Sequence, residues 1–294
     1  MQGAGGWVRI PGVKVQRLTS TDGFVVWDIE GAAASAGIVR VAPKVLQDGA
    51  VLLARTVTYS FASFGVEHAA GASAALNAKP DDRDTAWAAF VAEVKPLTDS
   101  GQLMLSPGLG TTAEDLAPLR GSEPDPVLLA AGAIAAAKVG GPLDWRTAAV
   151  VGAGPVVDAA TAALKEADTT LVDGRFDSPC DVLFVAGKAG VLDHPTAEGV
   201  QASLVVPLSP VPVTARALAI LGKAGKVVIP DFLSTAAPLL ASHDADGGDP
   251  VQRVRDATIA LAEEGTGMWL AAAKRAEEQL AGWTAVKPFG RPLA

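Results

Sequence analysis

Residues 150–157 read Val-Val-Gly-Ala-Gly-Pro-Val-Val, and they constrain the fold more than any other stretch of this chain. They follow the apolar residues 147–149 and precede a helical pattern, which predicts a strand, a glycine loop and a helix in succession. Further short apolar segments alternate with helical ones at 169–173, 181–186, 203–206 and 226–229. Such alternation is typical of a parallel sheet wrapped by helices, so an α/β fold is predicted for this half.

The first 120 or so residues predict a separate mixed α/β unit. Strands are expected at 13–18, 24–28, 37–42, 73–78 and 102–106, and a turn at Thr-Asp-Gly makes the first two a hairpin. Helices are expected after Pro43 and from Asp81 or Asp82, and Thr112 with Asp115 resembles a capping box. A helix over 125–141 begins the second unit, and helices at about 250–264 and 266–281 follow its sheet.

Charge and composition exclude several classes of function. The 294-residue chain has a net charge of −8, which argues against nucleic acid as a partner, since phosphate binding needs a basic face. Its longest apolar run is too short to span a membrane, and its N-terminal residues do not form a signal peptide. The single cysteine, Cys180, fits a reducing cytoplasm, and the three histidines have no metal-pair spacing, so no metal site is expected.

The glycine loop is typical of a dinucleotide site. Gly152 allows the tight turn after the strand, and Gly154 lets the backbone approach a pyrophosphate. Pro155 and Val156 lie at the first turn of the following helix, where a phosphate would rest. Asp173 ends the next strand, where a carboxylate would accept hydrogen bonds from the adenosine ribose. The sequence therefore predicts NAD or NADP as cofactor.

Three residues complicate this prediction. Val157 places a branched side chain where the helix and the strand should approach closely, and this leaves open a nucleotide fold that has lost its nucleotide. Asp173 implies NAD, whereas Arg175 can accept the 2′-phosphate of NADP, so the choice between them stays open. Lys188 follows the strand at 181–186 and can contact phosphate or substrate, or lie solvated in its loop.

Four segments together resemble the glutamate/leucine/phenylalanine/valine dehydrogenase family. Residues 54–76 resemble the family's substrate segment, Arg-x-Met-Thr-Tyr-Lys followed by Gly-Gly-Gly-Lys, and 106–119 resemble its Asp-Val-Gly-Thr-Thr stretch. Residues 125–138 resemble the helix that enters the cofactor domain, and 228–238 its Ala-Pro-Asp-Tyr stretch. The resemblance implies residues 1–124 as a substrate and dimerisation domain, residues 125–265 as a Rossmann-like domain, and a cleft between them. It also implies that the helix in 266–294 packs back on the first domain, and that the protein is a homodimer or larger homo-oligomer.

The chain departs from the family at the positions that carry the chemistry. The family's two lysines correspond to Ser60 and Ala72, and its aspartate corresponds to Gly108. The threonine of the entering helix corresponds to Leu128, and the asparagine after Pro-Asp-Tyr corresponds to Thr235. Serine or alanine cannot supply a lysine's charge or its proton chemistry. Oxidative deamination of an ordinary L-amino acid is therefore not expected.

Other residues of these segments are candidates for the chemistry. Glu67 and His68 are expected on a loop lining the cleft, where they can act as acid and base or simply be solvated. Tyr59 can donate a proton or pack. Ser106 and Thr111 border the former aspartate position, and with Ser60, Ala72 and Gly108 they complete the predicted substrate pocket.

Three functions remain open from the sequence. The first is an NAD(P)-dependent oxidoreductase that acts on a carbonyl, imine or alkene rather than a free amino acid, as suits specialised metabolism. The second is a non-redox enzyme, such as a cyclase or isomerase, that reuses the cleft. The third is a catalytically silent protein that keeps the fold.

Overall fold

Two separate five-stranded sheets organise the chain. The structure is a computed structural model that describes residues 12–138, 146–244, 247–285, 288 and 290–294. The N-terminal residues 1–11 and the predicted helix end at Gly140-Gly141 lie outside the described residues. Within the described part of the chain, no helix is long and apolar enough to cross a membrane.

The first sheet is mixed, with strand order β1-β2-β4-β3-β5. Its strands are β1 (Lys14–Arg17), β2 (Gly23–Trp27), β3 (Ala34–Ala42), β4 (Ala69–Asn77) and β5 (Leu103–Pro107). The predicted hairpin is confirmed, because β1 and β2 pair antiparallel across the Thr-Asp-Gly turn. The strand predicted at 37–42 begins earlier, at Ala34, because β3 pairs in parallel with β4 on one side and β5 on the other. Pairing on both sides keeps the small residues at the start of β3 in the strand, although their β-strand propensities do not predict one.

Helices cover both faces of the first sheet. They are α1 (Gln47–Ser63), α2 (Arg83–Asp99) and the short α3 (Ala113–Leu116), which begins with the predicted capping box of Thr112 and Asp115. Alternate residues of each strand face opposite helices, as the period of two requires. Phe24, Val26 and Ala75 pack with α1, whereas Val25 and Ala74 belong to the core beneath α2.

The second sheet is fully parallel, with strand order β10-β9-β8-β6-β7. Its strands are β6 (Thr147–Val151), β7 (Thr170–Leu171), β8 (Val182–Val185), β9 (Leu204–Pro207) and β10 (Val227–Val228). Strands β6, β7, β8 and β10 lie inside the segments predicted for them, and β9 ends one residue beyond its predicted segment, at Pro207. The α/β class with a Rossmann-like parallel sheet is thereby confirmed.

Helices also cover both faces of the second sheet. They are α4 (Pro126–Ala137), α5 (Pro155–Glu166), α6 (His194–Gly199), α7 (Ala215–Lys223), α8 (Asp231–Ser234), α9 (Ala237–His243), α10 (Pro250–Ile259) and α11 (Met268–Leu280). Helices α4, α5 and α10 share the core on one face, and α6 and α7 cover the other. Helix α11 packs against α1, so the C-terminal part of the chain contacts the first unit.

Candidate functional site

A cavity of about 690 Å³ lies between the two units. Strands β3 and β5 and helix α1 form one side, and α4, α9 and the loop after β9 form the other. Residues 120–125, which connect the units, lie along it. Its apolar lining consists of Ala36, Ile38, Leu53, Val57, Met104, Leu105, Pro107, Pro124, Leu128, Leu129, Pro210, Pro238, Leu239 and Ala241. The cavity thus offers a mostly apolar chamber at the junction of the units, where binding sites commonly form.

The cavity and the glycine loop lie at the same edge of the second sheet. Gly152 follows the carboxyl end of β6, and Pro210, which lines the cavity, follows the carboxyl end of β9. Only β8 separates these two strands, so their ends are about 10 Å apart, or two strand spacings. In open α/β sheets, ligands bind at this carboxyl edge. One extended dinucleotide can therefore reach from the glycine loop to the cavity.

The geometry of the glycine loop suits a phosphate. A β-carbon at Gly152 would lie 2.5 Å from the carbonyl oxygen of Ala186, so only glycine fits against the end of β8. Gly154 has a φ of +107°, and no atom lies within 4 Å of the place of its missing β-carbon. The space above Gly154 is therefore open at the N-terminus of the 12-residue helix α5, where backbone N–H groups attract an anion.

Val157 is accommodated by its surroundings. Its side chain is buried, and it shares a hydrophobic core with Ala133 and Ala136 of α4. Helix α4 packs against α5 and consists mainly of alanine, which leaves room for a branched side chain. Val157 is therefore part of the core on this face of the sheet.

The side chains predicted for the adenosine end are all exposed. Asp173 follows β7, and its carbonyl oxygen accepts hydrogen bonds from Arg175 N (2.9 Å) and Ser178 Oγ (2.6 Å). Arg175 itself pairs with Asp177 (Nε–Oδ1 3.1 Å), a carboxylate that competes with any phosphate. Lys188 lies in the loop after β8. None of the three is among the residues that line the cavity.

In the described residues, the second sheet has one strand fewer than a full Rossmann sheet, and the missing strand would lie beside β7. Such a sheet has six strands in the order 3-2-1-4-5-6. Here β7 is the edge strand next to β6, and residues 172–181 run from it to β8 without a helix or strand. Phe176 and Cys180 of this segment pack on the face that α6 and α7 also cover. The adenosine end of a bound dinucleotide would therefore meet a loop where a full sheet has a third strand.

Asp231 joins the two units beside the cavity. Its Oδ2 accepts a hydrogen bond from Thr56 Oγ1 of α1 (2.6 Å) and another from the backbone N–H of Val211 (2.9 Å). Val211 has a φ of +52°, a conformation that β-branched residues rarely adopt. Thr56 and Pro210 line the cavity, so this carboxylate fixes parts of both walls.

Asp231 is expected to make stability depend on pH. Burial raises the pKa of Asp231 from 3.8 to about 6. At a pH between these two pKa values, Asp231 is protonated in the folded protein but ionised in the unfolded chain. Its contribution to the free energy of unfolding therefore grows by about 1 kcal/mol as pH falls from about 7.5 to about 5. Urea denaturation of wild type and Asp231→Asn at both pH values measures this gain as a change in their difference. His243, whose pKa burial lowers, has the opposite effect but is common to both proteins, and an unchanged difference would contradict the prediction.

The residues predicted for the substrate pocket are only partly brought together. Ser60, Ser106 and Gly108 line the cavity, whereas Ala72 and Thr111 do not. Ala72 is a correction to the prediction: it faces the core beneath α2, because alternate residues of β4 point to opposite faces. Thr111 is a turn residue that accepts from Gly108 N (2.8 Å) and contacts the Gly108 and Val39 carbonyl oxygens.

Gly108 has no room for a side chain. A β-carbon there would lie 2.7 Å from the Val39 carbonyl oxygen and 3.2 Å from Arg40 Cγ. An aspartate at this position would require the turn to move.

The three residues proposed for catalysis lie outside the cavity lining. Glu67 and His68 are exposed in the loop between α1 and β4, and the His68 ring lies 5.4 Å from that of Trp283. This differs from the expectation that they line the cleft, since α1 ends at Ser63 and the chain then turns towards the C-terminal segment. Tyr59 is buried and donates to Glu277 Oε1 (3.0 Å), and burial and this carboxylate raise the pKa of its hydroxyl well above the usual range.

Thr56 and His243 also line the cavity, although neither was predicted as a site residue. Thr56 and Ser60 are four residues apart on α1 and so share a helix face, a spacing that pointed to this wall. His243 lies at the end of α9, and its ring packs 5.3 Å from the Phe61 ring. Only the folding of the 235–243 segment against α1 brings it to the cavity.

Solved structures of amino acid dehydrogenases are similar to this chain. A hetero-hexameric glutamate dehydrogenase from Thermus thermophilus superposes with a TM-score of 0.72 at 20% identity, covering 91% of this chain and 88% of that one. An L-tryptophan dehydrogenase from Nostoc punctiforme gives 0.69 at 19% identity, covering 92% and 95%. A glutamate dehydrogenase from Peptoniphilus asaccharolyticus gives 0.68 at 15% identity, covering 92% and 91%. No protein-family model and no curated protein matches the chain. The two-domain dehydrogenase fold is thereby shown.

Proposed function

We propose that this protein is an NAD(P)-dependent oxidoreductase that acts on an apolar carbonyl, imine or alkene rather than a free L-amino acid. The observation that carries the proposal is the position of a largely apolar cavity at the sheet edge that also holds the open glycine loop. Residues 152–156 would hold the pyrophosphate, and Asp173 with Arg175 would meet the adenosine end. When bound, the nicotinamide supplies or accepts a hydride.

The cavity lining supports a substrate other than an amino acid. Its charged residues are Arg120, Glu123, Asp125 and the titratable His243, and no lysine is among the residues that line it. Arg120 pairs with Asp99 (Nε–Oδ1 3.1 Å), and it belongs to the exposed connecting segment rather than to the interior. An α-amino acid entering the cavity would have to bury its carboxylate without a free cation, which is costly.

Cofactor binding is the prediction that tests this function. Calorimetric titration with NADH and NADPH is expected to give a dissociation constant on the order of micromolar for at least one of them. Gly154→Val should weaken binding about 100-fold, because it fills the open space above the loop and forces a branched residue to a positive φ. Gly267→Val is the matched control, since its missing β-carbon also faces open space but its φ is ordinary.

Two further readouts make the outcome decisive. Arg175→Ala, an exposed substitution, should selectively weaken NADPH binding if the 2′-phosphate lies there, and this test does not depend on how Gly154→Val folds. Absence of binding at millimolar concentrations of either cofactor would falsify the oxidoreductase proposal.

One observation favours a second function. The loop at 172–181 replaces the third strand and shortens the adenosine side of the sheet. A protein that no longer binds a dinucleotide would use the same cavity for a non-redox reaction, such as cyclisation or isomerisation, or as a catalytically silent binding site. Ligand binding to the cavity without any cofactor binding would select this alternative.

A further inference from the structure

Most hydroxyl groups of the cavity wall donate their hydrogen to another atom of the protein. Each hydroxyl has a single proton to donate, and one that donates to the protein can only accept from a ligand. Four wall hydroxyls donate in this way: Thr56 to Asp231 Oδ2 (2.6 Å), Ser60 to the Thr56 carbonyl (3.1 Å), Thr235 to the Asp231 carbonyl (2.7 Å) and Ser242 to the Pro238 carbonyl (2.9 Å). The hydrogen-bonding surface that they offer is therefore acceptor-rich.

His243 adds an acceptor of the same kind. Its Nδ1 lies 2.7 Å from Ser242 Oγ and 3.1 Å from the Leu239 carbonyl oxygen. The carbonyl can only accept, and the Ser242 hydroxyl, which donates to Pro238, can accept as well, so a hydrogen on Nδ1 satisfies both contacts. In the neutral ring, Nε2 is then the acceptor, and it is a buried atom that has no hydrogen-bond partner among the described residues. Burial lowers the pKa of this ring, which favours the neutral form near pH 7.

The remaining polar lining does not supply a cation for an anionic ligand. The Ser106 and Ser122 hydroxyls can donate but carry no charge. Glu123 and Asp125 are exposed carboxylates at the mouth, and Asp125 Oδ1 accepts from Val127 N (2.8 Å). Arg120, the cation of the lining, is exposed and paired with Asp99. The lining as a whole therefore combines apolar walls and hydrogen-bond acceptors, with two carboxylates and this paired arginine in the exposed connecting segment.

We infer that the cavity binds apolar amines or alcohols, which bring their own N–H or O–H donors, and discriminates against carboxylates. The inference rests on the proposed function in taking this cavity as the substrate site. A donor on the ligand satisfies the acceptors of the wall, whereas a carboxylate would face other acceptors and lose its hydration without compensation. Amines and alcohols are also the reduced partners of the imines and ketones proposed above.

Three probes with similar apolar frames test the inference by calorimetry. They are 2-phenylethylamine, 2-phenylethanol and 3-phenylpropionate, titrated near pH 7.5 without cofactor. The amine, an ammonium ion near pH 7.5, and the alcohol are expected to bind about ten-fold or more tightly than the carboxylate, because their N–H and O–H donors meet the acceptors of the wall, whereas the carboxylate meets only other acceptors. Equal or tighter binding of the carboxylate overturns the inference, and so does the absence of binding by all three probes.

A charge placed in the cavity should reverse the preference. Ser60→Lys puts an ammonium in the wall, and it should raise affinity for 3-phenylpropionate about ten-fold and lower affinity for the amine. Ser106→Lys, at a half-buried position of β5 on the same side of the cavity, repeats the test if the first variant unfolds. Ser100→Lys, exposed at the end of α2, adds the same charge outside the cavity and should change neither affinity. Unchanged probe affinities in a folded cavity variant overturn the inference.

The cofactor titration separates this inference from the proposed function. Cofactor binding with a carboxylate preference leaves the oxidoreductase proposal standing and removes the inference. The expected probe order without cofactor binding removes the oxidoreductase proposal and leaves the cavity as a site for donor-bearing ligands.

Discussion

Replacement of Gly71 by alanine is expected to destabilise the protein by about 3 kcal/mol or more, which is enough to unfold many domains at elevated temperature. Gly71 lies in β4 directly beneath α1, and a β-carbon there would lie 1.7 Å from the Ala54 carbonyl oxygen and 2.6 Å from its carbonyl carbon. Both are backbone atoms, so the overlap cannot be relieved by a change of rotamer. The helix would have to move away from the sheet.

The local hydrogen bonds show why α1 lies so close. The Gly71 N–H donates to Thr58 Oγ1 of the helix (2.9 Å), and the Gly71 carbonyl accepts from Asp28 N (3.0 Å). Displacement of α1 would break the first bond and shift Thr56 and Ser60, which line the cavity on the same helix. The alanine variant should therefore lose ligand binding as well as stability.

Gly222→Ala is the matched control for this prediction. Gly222 lies in α7, and no atom lies within 4 Å of the place of its missing β-carbon. Alanine there should be neutral or stabilise by up to about 1 kcal/mol, because it has the higher helix propensity. The free energies of unfolding from urea denaturation compare the two variants. Equal stability of Gly71→Ala and wild type would show that α1 does not pack on β4 as described.

The fold could be predicted from the sequence because its signals are local. The alternation of short apolar segments with helical ones located every strand of the second sheet, and the Thr-Asp-Gly turn located the first hairpin. The capping box of Thr112 and Asp115 marked the start of α3. Strand ends were less well defined, because β3 and β4 contain many alanines whose strand conformation depends on their neighbours.

The site was predicted less well because its residues come together only through tertiary packing. Successive residues of β4 face opposite sides of the sheet, and Ala72 faces the core beneath α2 rather than the cavity. The order of residues in β4 does not show which of its two faces meets α1. Glu67 and His68 lie a few residues beyond the helix that lines the cavity, yet the chain has turned away by then. Conversely, His243 reaches the wall from a segment distant in sequence, and nothing local marks it as a cavity residue.

The second large effect is expected for Arg55→Met, which should destabilise the protein by about 3–5 kcal/mol. Arg55 is 2% exposed, and its Nε donates to both carboxylate oxygens of the fully buried Asp28 (2.7 and 2.9 Å). Its Nη1 also donates to the Gly290 carbonyl oxygen (2.6 Å), which fastens the C-terminal segment to α1. Methionine fills a similar volume but leaves the carboxylate without its cation in a site that water does not reach.

The pH dependence of this loss distinguishes an unpaired charge from poor packing. Burial already raises the pKa of Asp28, and the charge on Arg55 lowers it, so removal of Arg55 should raise it further. An acid whose pKa is higher in the folded state contributes more stability as pH falls, and Arg55→Met should therefore be less destabilised near pH 5 than near pH 8. The double variant Arg55→Met/Asp28→Leu removes both charges and should recover most of the lost stability at pH 8. If the double variant is as unstable as the single one, and neither depends on pH, then shape rather than charge determines the contribution of this pair.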